Sequence, residues 1–265
     1  LWVAREWVAC NFPYGGFPWS RLALSQSNSP LDDWVYWGGI SALSFVIVFV
    51  TVLVITTWAN QLRPENWGSS PVALVLALLV LVPQLTPSTS TKSTARLDVA
   101  AVQGNANAGL FANPLPGSIL KNHLEASKSL LTASEKPDVV IWPENAADEN
   151  PLAGGEAKAL VADFAHEVEA PLIFGTITSR GSDIYNSSVL WIPNLGAVDW
   201  YDKKRPVAFG EFVPDRQFFR LLAPELIDLI PRGYSFGTRD GIFKISSRSG
   251  ENVKIGTMIC FEVAV

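Results

Sequence analysis

Hydrophobic residues are concentrated in the first third of the chain, where two long runs carry almost no charge. Residues 34–61 contain no charged side chain and include SALSFVIVFVTVLVITTW, which as a helix is long enough to cross about 30 Å of hydrocarbon. A second apolar run, SSPVALVLALLVLVPQL, occupies residues 69–85 and carries Pro83 near its end. The pattern therefore predicts membrane spans over residues 33–59 and 69–85.

Short polar or aromatic segments flank these two runs. LWVAREWVAC, residues 1–10, is typical of the end of a longer helix, and residues 11–32 contain the Gly, Pro and aromatic side chains of a loop at a membrane interface. Residues 86–95, TPSTSTKSTA, are typical of a linker. We therefore expect a membrane region over residues 1–95 and a second domain over residues 96–265. Because two spans separate the loop from that domain, both should lie on one face of the membrane.

Strand-like and helix-like patterns alternate in the second domain. The segments LDVAAV, VVIW, PLIFGTI, NSSVLWI and AVDWYD are rich in β-branched and aromatic residues and predict strands. One helix is predicted after Ser118, whose side chain is a suitable cap. A second helix is predicted from an apolar stripe at helical spacing: Ala157, Leu160, Val161, Phe164, Ala165 and Val168. Two successive β-α units followed by a run of strands predict an α/β sandwich.

Composition narrows the possible chemistry. The net charge is −5 and the basic residues are scattered, so no nucleic-acid partner is expected. The two cysteines, Cys10 and Cys260, fall in different predicted domains, which argues against a disulfide. The two histidines, His123 and His166, lie in helical patterns away from other metal-ligand types. We therefore expect neither a metal site nor a Ser-His-Asp site.

Three short strings place ionisable side chains at the ends of predicted strands. They are WPEN with Glu144, YDKKRPVAFGEF with Lys203 and Glu211, and CFE with Cys260, Phe261 and Glu262. Ends of adjacent strands converge on one edge of a sheet, so these side chains are expected to share a cleft. There a carboxylate can accept the proton of a thiol, and a lysine can stabilise the thiolate and the oxyanion that follows. The alternatives are ordinary surface charges and, for Cys260 after the strand predicted over residues 253–259, an inert core thiol.

Glu144, Lys203 and Cys260, in this order, resemble the Glu-Lys-Cys triad of the nitrilase, or carbon–nitrogen hydrolase, superfamily. The chain is more closely similar to the bacterial apolipoprotein N-acyltransferases, through FPW at residues 17–19, VQGN at 102–105 and FGEFVP at 209–214. In that family the FGE string follows the triad lysine at the spacing seen here, which selects Lys203 over Lys204.

The resemblance implies a fold, a reaction and a location. The fold is a nitrilase-type αββα sandwich, incomplete at its C-terminus, preceded by transmembrane helices. In the reaction, Cys260 attacks a phospholipid acyl ester, and the thioester then acylates the N-terminal diacylglyceryl-cysteine of an apolipoprotein without a cofactor. The location is the bacterial cytoplasmic membrane, with several spans and an extracytoplasmic catalytic domain. Because the family continues past its cysteine, the chain is expected to be a fragment at both ends.

The resemblance also implies residue roles. Glu144 takes the thiol proton, while Lys203 and backbone N–H groups near Phe261 stabilise the oxyanion; Glu211 and Glu262 support them. Phe17 and Trp19 are hypothesised to lie at the bilayer surface beside the cleft, where acyl chains would arrive; the alternative is a pair of ordinary interfacial anchors. Two other functions stay open: a membrane-tethered amidase that uses water as the acceptor, and a non-catalytic fragment.

Overall fold

The described part of the chain falls into two compact units. The computed structural model of the protein describes residues 1–59, 71–85, 96–106, 115–230 and 233–264. One unit covers Leu1–Lys92 with the last two residues, and the other covers Ser93–Val263. The linker predicted over residues 86–95 lies outside the described residues. Each unit is taken by itself below.

The first unit is helical. Its helices are α1, Trp2–Asn11; α2, Trp34–Ala59; and α3, Pro71–Leu81. Within the described residues, Trp34–Thr56 is the one helix long and apolar enough to cross a membrane, with a mean hydropathy of 2.6. Gly38 and Gly39 have non-helical backbone angles and interrupt α2 near its start. Residues 40–59 are then uninterrupted helix, roughly 30 Å long at 1.5 Å per residue, which matches the hydrocarbon core.

The second predicted span is represented by a shorter helix. Helix α3 has 11 residues and is followed by a 3₁₀ turn at Pro83–Leu85. Eleven residues of helix extend about 17 Å, which is less than the hydrocarbon thickness. Residues 69 and 70, where the predicted span begins, lie outside the described residues. A second span over 69–85 therefore stays a prediction.

The predicted interfacial loop is folded and fastened to its neighbouring helices. It contains two 3₁₀ turns, Pro18–Ser20 and Leu22–Gln26. The carboxylate of Glu6, on α1, is buried and accepts a hydrogen bond from the backbone N–H of Leu22 at 2.7 Å. The hydroxyl of Ser44, on α2, accepts one from the N–H of Ala23 at 3.3 Å. Polar groups of two helices thus hold the middle of the loop.

A five-stranded sheet with strand order β1-β2-β3-β4-β5 forms the centre of the second unit. The strands are Val99–Ala101, Val139–Ile141, Leu172–Arg180, Asp183–Ile192 and Gly196–Asp202. The first three are parallel to one another, and β4 and β5 are added antiparallel through short turns. Every segment predicted as a strand contributes one, although β1 and β2 are shorter than the apolar patterns that predict them.

Helices cover one face of this sheet. They are α4, Ser118–Ala126; α5, Lys128–Leu131; and α6, Gly155–Val168. The stripe predicted for the second helix is confirmed, because its side chains pack into a core with Trp142, Phe174 and Trp191 of the sheet side. The predicted Ser118 cap is wrong: Ser118 is already helical and makes no capping bond. The carboxylate of Asp148 caps α4 instead, accepting from the N–H of Leu120 at 3.0 Å.

A second, two-stranded sheet covers the other face. Its strands are β6, Ile242–Ser246, and β7, Asn252–Gly256. Phe243 and Ile245 of β6 pack against Val139, Ile173 and Leu190 of the large sheet. Two short helices, α7 at Arg216–Leu222 and α8 at Pro224–Asp228, lie between β5 and β6 in sequence. The described residues thus supply a helix layer and two sheet layers, which confirms the α/β class.

Candidate active site

Cys260 lies on a tight turn rather than at the end of a strand. The strand predicted over residues 253–259 is shorter than expected, because β7 ends at Gly256; beyond it Ile259 is buried and Met258 exposed. A 3₁₀ turn, Cys260–Ala264, begins at the cysteine itself. Cys260 has φ 51°, in the left-handed region of backbone conformation that residues other than glycine rarely adopt. The prediction that one sheet edge carries all three strings is also wrong, because β7 belongs to the second sheet.

Glu144 follows β2 in a loop that lies directly against β3. The N–H of Gly175 donates to the carbonyl of Pro143 at 3.1 Å, and the N–H of Ala147 donates to the carbonyl of Gly175 at 3.0 Å. A Cβ at position 175 would come within 2.6 Å of the Glu144 Cα atom. Glycine is therefore required here, because any side chain would displace the backbone that carries Glu144.

Lys203 follows β5 and is almost fully buried, with 1% of its surface exposed. Its Nζ atom lies 2.8 Å from Oε2 of Glu211 and 3.4 Å from Oε1 of Glu144. Burial opposes the charge of Lys203, but the hydrogen bond to Glu211 and the charges of the two carboxylates outweigh it, so the pKa of Lys203 is raised. The lysine is thus held as a cation. Its neighbour Lys204 instead pairs with the exposed Asp240 at 2.6 Å.

The electrostatics keep Cys260 protonated at rest. Burial raises the pKa of the Cys260 thiol, and the negative charge of Glu144 raises it further. Lys203 and a hydrogen bond from the backbone N–H of Phe261 act in the opposite direction but do not cancel the rise. The thiol also hydrogen-bonds the Glu144 side chain, so an acceptor for its proton is already in contact.

Glu262 connects the cysteine turn to the end of β5. Its Oε1 atom accepts from the Tyr201 hydroxyl at 2.8 Å and from the N–H of Lys204 at 2.7 Å. Its Oε2 atom accepts from the N–H of Ile259 at 2.9 Å. One buried carboxylate therefore fixes the segment after Lys203 to the segment before Cys260. Phe261, in the same turn, is also buried.

A pocket of about 180 Å³ opens at these residues. Its polar lining includes Glu144, Asn186, Ser188, Thr257 and Cys260. The rest of the wall includes Ile141, Ile173, Met258 and Ile259. The pocket thus brings an exposed thiol together with a carboxylate, and a buried cation lies against that carboxylate, which suits covalent acyl chemistry.

Two further residues in this site were not singled out from the sequence. The side-chain amide of Asn186, on β4, donates to both Glu144 and Glu211. Tyr234 is half-buried, and its N–H donates to the carbonyl of Glu211 at 2.9 Å. Burial, followed by the charges of Glu211 and Glu144, raises the pKa of Tyr234 and keeps its phenol neutral. The one sequence signal for Asn186 was its place as a polar residue at the start of the strand pattern NSSVLWI.

Phe17 and Trp19 belong to the first unit. Their rings are exposed, at 61% and 55%, and their centroids lie 6.4 Å apart. This arrangement suits either of the two roles considered for them, and an acyl-chain role stays a prediction. Cys10, the other cysteine, is buried in α1, where its sulfur accepts a hydrogen bond from Nε of Arg21 at 3.1 Å.

Comparison with known proteins shows which proteins this chain is similar to. Residues 1–53 match the family described as the apolipoprotein N-acyltransferase N-terminal domain. The apolipoprotein N-acyltransferase of Mycolicibacterium smegmatis is 30% identical over 272 residues, which cover 91% of this chain and 44% of that protein. The chain's homologues are apolipoprotein N-acyltransferases. The enzyme of that name from Pseudomonas syringae pv. tomato is 26% identical over 268 residues, 99% of this chain and 51% of that protein.

The chain spans about half the length of these apolipoprotein N-acyltransferases. Among solved structures, a carbon–nitrogen hydrolase superfamily protein from Xanthomonas campestris is 16% identical with a TM-score of 0.40. That match covers 63% of this chain and 54% of the other. The sequence relatives, rather than this structural likeness, are the basis for a proposal about function.

Proposed function

We propose that this chain carries the acyl-transfer site of an apolipoprotein N-acyltransferase, with Cys260 as nucleophile, Glu144 as base and Lys203 as electrostatic partner. The observation that supports it is that Glu144 and Cys260, far apart in sequence, line one pocket, while Lys203 lies against Glu144. Lys203 Nζ lies 3.4 Å from the Glu144 carboxylate, which hydrogen-bonds the Cys260 thiol. A thiol that is protonated at rest needs such a base within reach.

In the first half-reaction, the Cys260 proton passes to Glu144 and the sulfur attacks the carbonyl carbon of a phospholipid acyl ester. The carbonyl oxygen becomes an oxyanion, which Lys203 and the N–H of Phe261 stabilise. The tetrahedral intermediate then collapses: the ester C–O bond breaks, Glu144 returns the proton to the departing oxygen, and a lysophospholipid leaves. The acyl chain stays on Cys260 as a thioester.

In the second half-reaction, the α-amino group of a diacylglyceryl-cysteine at the N-terminus of an apolipoprotein attacks the thioester. The amine loses a proton to Glu144, the C–S bond breaks, and the proton returns to the Cys260 sulfur. An amide forms and the thiol is regenerated, so the cycle needs no cofactor. Two substrates that use one covalent intermediate in turn give ping-pong kinetics.

A membrane setting fits both substrates, because each is anchored in lipid. Helix α2 is long and apolar enough to hold the protein in a bilayer. The proposal places the protein in the bacterial cytoplasmic membrane as a multi-pass enzyme, with the catalytic unit on the extracytoplasmic face. A site held at the surface of a bilayer meets lipid-anchored substrates by diffusion in two dimensions.

The deciding experiment compares the two cysteines. Membranes containing the protein receive a phospholipid with a labelled acyl chain and a diacylglyceryl lipopeptide. Cys260→Ala should abolish both the labelled protein thioester and the N-acylated lipopeptide, whereas Cys10→Ala should preserve both. Loss of labelling in Cys10→Ala instead would show that the nucleophile is misassigned. Release of free fatty acid or ammonia without N-acylated product would favour an amidase that uses water.

Substituting the two adjacent lysines in turn tests which of them acts in the site. Lys203→Ala should lower the acylation rate by about 10²–10³, the usual effect of losing one oxyanion partner. Lys204→Ala should have little effect, because Lys204 pairs with an exposed aspartate. Glu211→Gln should cost less than Glu144→Gln, since Glu211 positions the lysine. Equal losses at Lys203 and Lys204 would contradict the assignment.

A further inference from the structure

Asn186 occupies an unusual place between the two carboxylates of the site. Its side chain is 98% buried and belongs to β4, which lies between β3 and β5 in the sheet. The amide nitrogen Nδ2 lies 2.5 Å from Oε1 of Glu144 and 2.9 Å from Oε1 of Glu211. An amide NH₂ group has two hydrogens, so each carboxylate receives one.

These two bonds fix the orientation of the amide. Rotating it by half a turn would direct the carbonyl oxygen Oδ1 of Asn186 at Glu144 and Glu211, and like partial charges would repel. In the observed orientation, Oδ1 is buried and has no hydrogen-bond partner in the part of the chain that the structure describes. A buried acceptor without a partner is destabilising, so this arrangement persists because the two donated bonds outweigh it.

The bonds also distinguish the two oxygens of Glu144. Asn186 Nδ2 and Lys203 Nζ both approach Oε1, at 2.5 Å and 3.4 Å. A proton added to Oε1 would face two N–H donors that cannot turn away, because each is also bonded to Glu211. A proton added to Oε2 meets neither donor.

We propose that Asn186 is a positioning residue that makes Oε2 of Glu144 the oxygen that accepts the Cys260 proton. This inference rests on the proposed acyl transfer. The S–H bond breaks, an O–H bond forms at Oε2, and the electron pair remains on sulfur for attack on the ester carbon. When the ester C–O bond breaks, the proton on Oε2 passes to the departing oxygen. The carboxylate is then ionised again, with Oε1 still held by Asn186.

The test uses Asn186→Asp, which preserves the shape but removes both donors and adds a third carboxylate. We expect kcat to fall about 10- to 100-fold, the effect of losing a hydrogen bond to a charged group, with the KM for phospholipid unchanged within about twofold. The acidic limb of the pH–rate profile should move to higher pH, because the added negative charge favours the protonated base. Asn252→Asp, on the exposed strand β7, adds the same charge as a control.

Asn186→Ala provides a second variant that adds no charge. It should also lower kcat and move the acidic limb to higher pH, by less than Asn186→Asp, because one donor that favours the ionised carboxylate is lost. Thermal unfolding of each variant in lipid shows whether it is folded. A wild-type profile in both variants, or a loss of the same factor at every pH, would overturn the proposal, since a purely structural role has no pH dependence.

An independent measurement separates this proposal from the proposed function. In a Cys10→Ala background, the rate at which iodoacetamide alkylates Cys260 is followed against pH without any acyl substrate. Asn186→Asp should move its midpoint to higher pH, while Asn252→Asp leaves it unchanged. If the shift appears but the protein with Asn186 unchanged transfers no acyl group, the proposed function is wrong and the role of Asn186 stands. If transfer is normal and no shift appears, the role of Asn186 fails alone.

Discussion

At the residue scale, the two ionic neighbours of Cys260 have opposite effects on the pKa of its thiol. Glu144 raises the pKa of the thiol and Lys203 lowers it. Glu144→Gln should therefore move the pH midpoint of Cys260 alkylation down by about one pH unit, and Lys203→Ala should move it up by a similar amount. Both variants should be poor transferases, so thiol ionisation and turnover would change independently. The measurement is alkylation by iodoacetamide in a Cys10→Ala background.

Lys204→Ala is the matched control for that experiment, because its ammonium pairs with Asp240 rather than with the site. Its alkylation midpoint should match that of the unmodified residue. A downward shift in Lys203→Ala, or no shift in Glu144→Gln, would contradict the electrostatic description of the site.

The sequence predicts the ionisable residues of the site, including the supporting Glu211 and Glu262, but not the amide of Asn186. Glu144, Lys203, Glu211 and Cys260 stand in short strings whose residue types suit one chemistry, and the structure brings them together. Asn186 stands in a strand-like segment, and which carboxylates its amide meets depends on strand register. Register depends on pairing with β3 and β5, which no local pattern encodes.

At the scale of single elements, the start of α4 depends on a residue that is distant in sequence. The Asp148 carboxylate accepts from the N–H of Leu120 and replaces a local cap. Asp148→Ala should lower the free energy of unfolding of this unit by about 1 kcal/mol, as for other lost N-caps. Thermal or denaturant unfolding measures the change. Asp163→Ala, at an exposed position in the middle of α6, is the control and should differ little from the unmodified protein.

Helices α7 and α8 carry several large apolar side chains that are exposed and so do not pack in the sheet core. Asp228 holds the two helices together through Arg216 and Arg220, at 3.6 Å and 3.0 Å. Large apolar side chains on their outer surface are at least 57% exposed: Phe218, Leu221, Leu222, Leu226 and Leu229. An exposed apolar patch of this kind is typical of a surface that meets lipid or a partner. We expect it to contact lipid.

An environment-sensitive dye tests that expectation without relying on activity. Leu226→Cys, in a background with both native cysteines replaced by alanine, is labelled and reconstituted in vesicles. Its emission should shift to shorter wavelength and be quenched by a lipid-borne quencher. Leu195→Cys, on the turn between β4 and β5, replaces a side chain that is 74% exposed, against 66% for Leu226, and should show neither effect. The same response at both positions would remove lipid contact as the explanation.

At the scale of the whole molecule, the sequence predicts the α/β class and a long apolar helix, because both follow from hydrophobic periodicity. It does not predict that the strand before Cys260 belongs to a second sheet. Alternating apolar residues give a strand its two faces but not its partner, and β7 pairs with β6 rather than with the large sheet. The turn that carries Cys260 is held by Glu262, which accepts hydrogen bonds from the distant residues Tyr201 and Lys204 as well as from Ile259.

The role predicted for Phe17 and Trp19 concerns the whole molecule, because it would link the arrival of acyl chains from lipid to the reaction at Cys260. Trp19→Ala should weaken use of a phospholipid donor several-fold while leaving a short, soluble thioester donor nearly unaffected. Parallel assays with the two donors measure this. Trp7→Ala, which removes an exposed tryptophan from α1, is the control. Equal losses with both donors would indicate an anchoring role, and Trp19→Cys labelled only from the cytoplasmic side would exclude the prediction.

The protonated resting state of Cys260 also bears on its durability. Oxidation of a cysteine to sulfenic acid and beyond begins from the thiolate. Cys260 is exposed, yet burial of its sulfur and the nearby Glu144 raise the pKa of its thiol. Peroxide should therefore find little thiolate to attack at rest, and under the proposed mechanism the sulfur becomes reactive chiefly while an acyl ester occupies the site. An exposed nucleophile can in this way survive in surroundings that would inactivate a permanently ionised one.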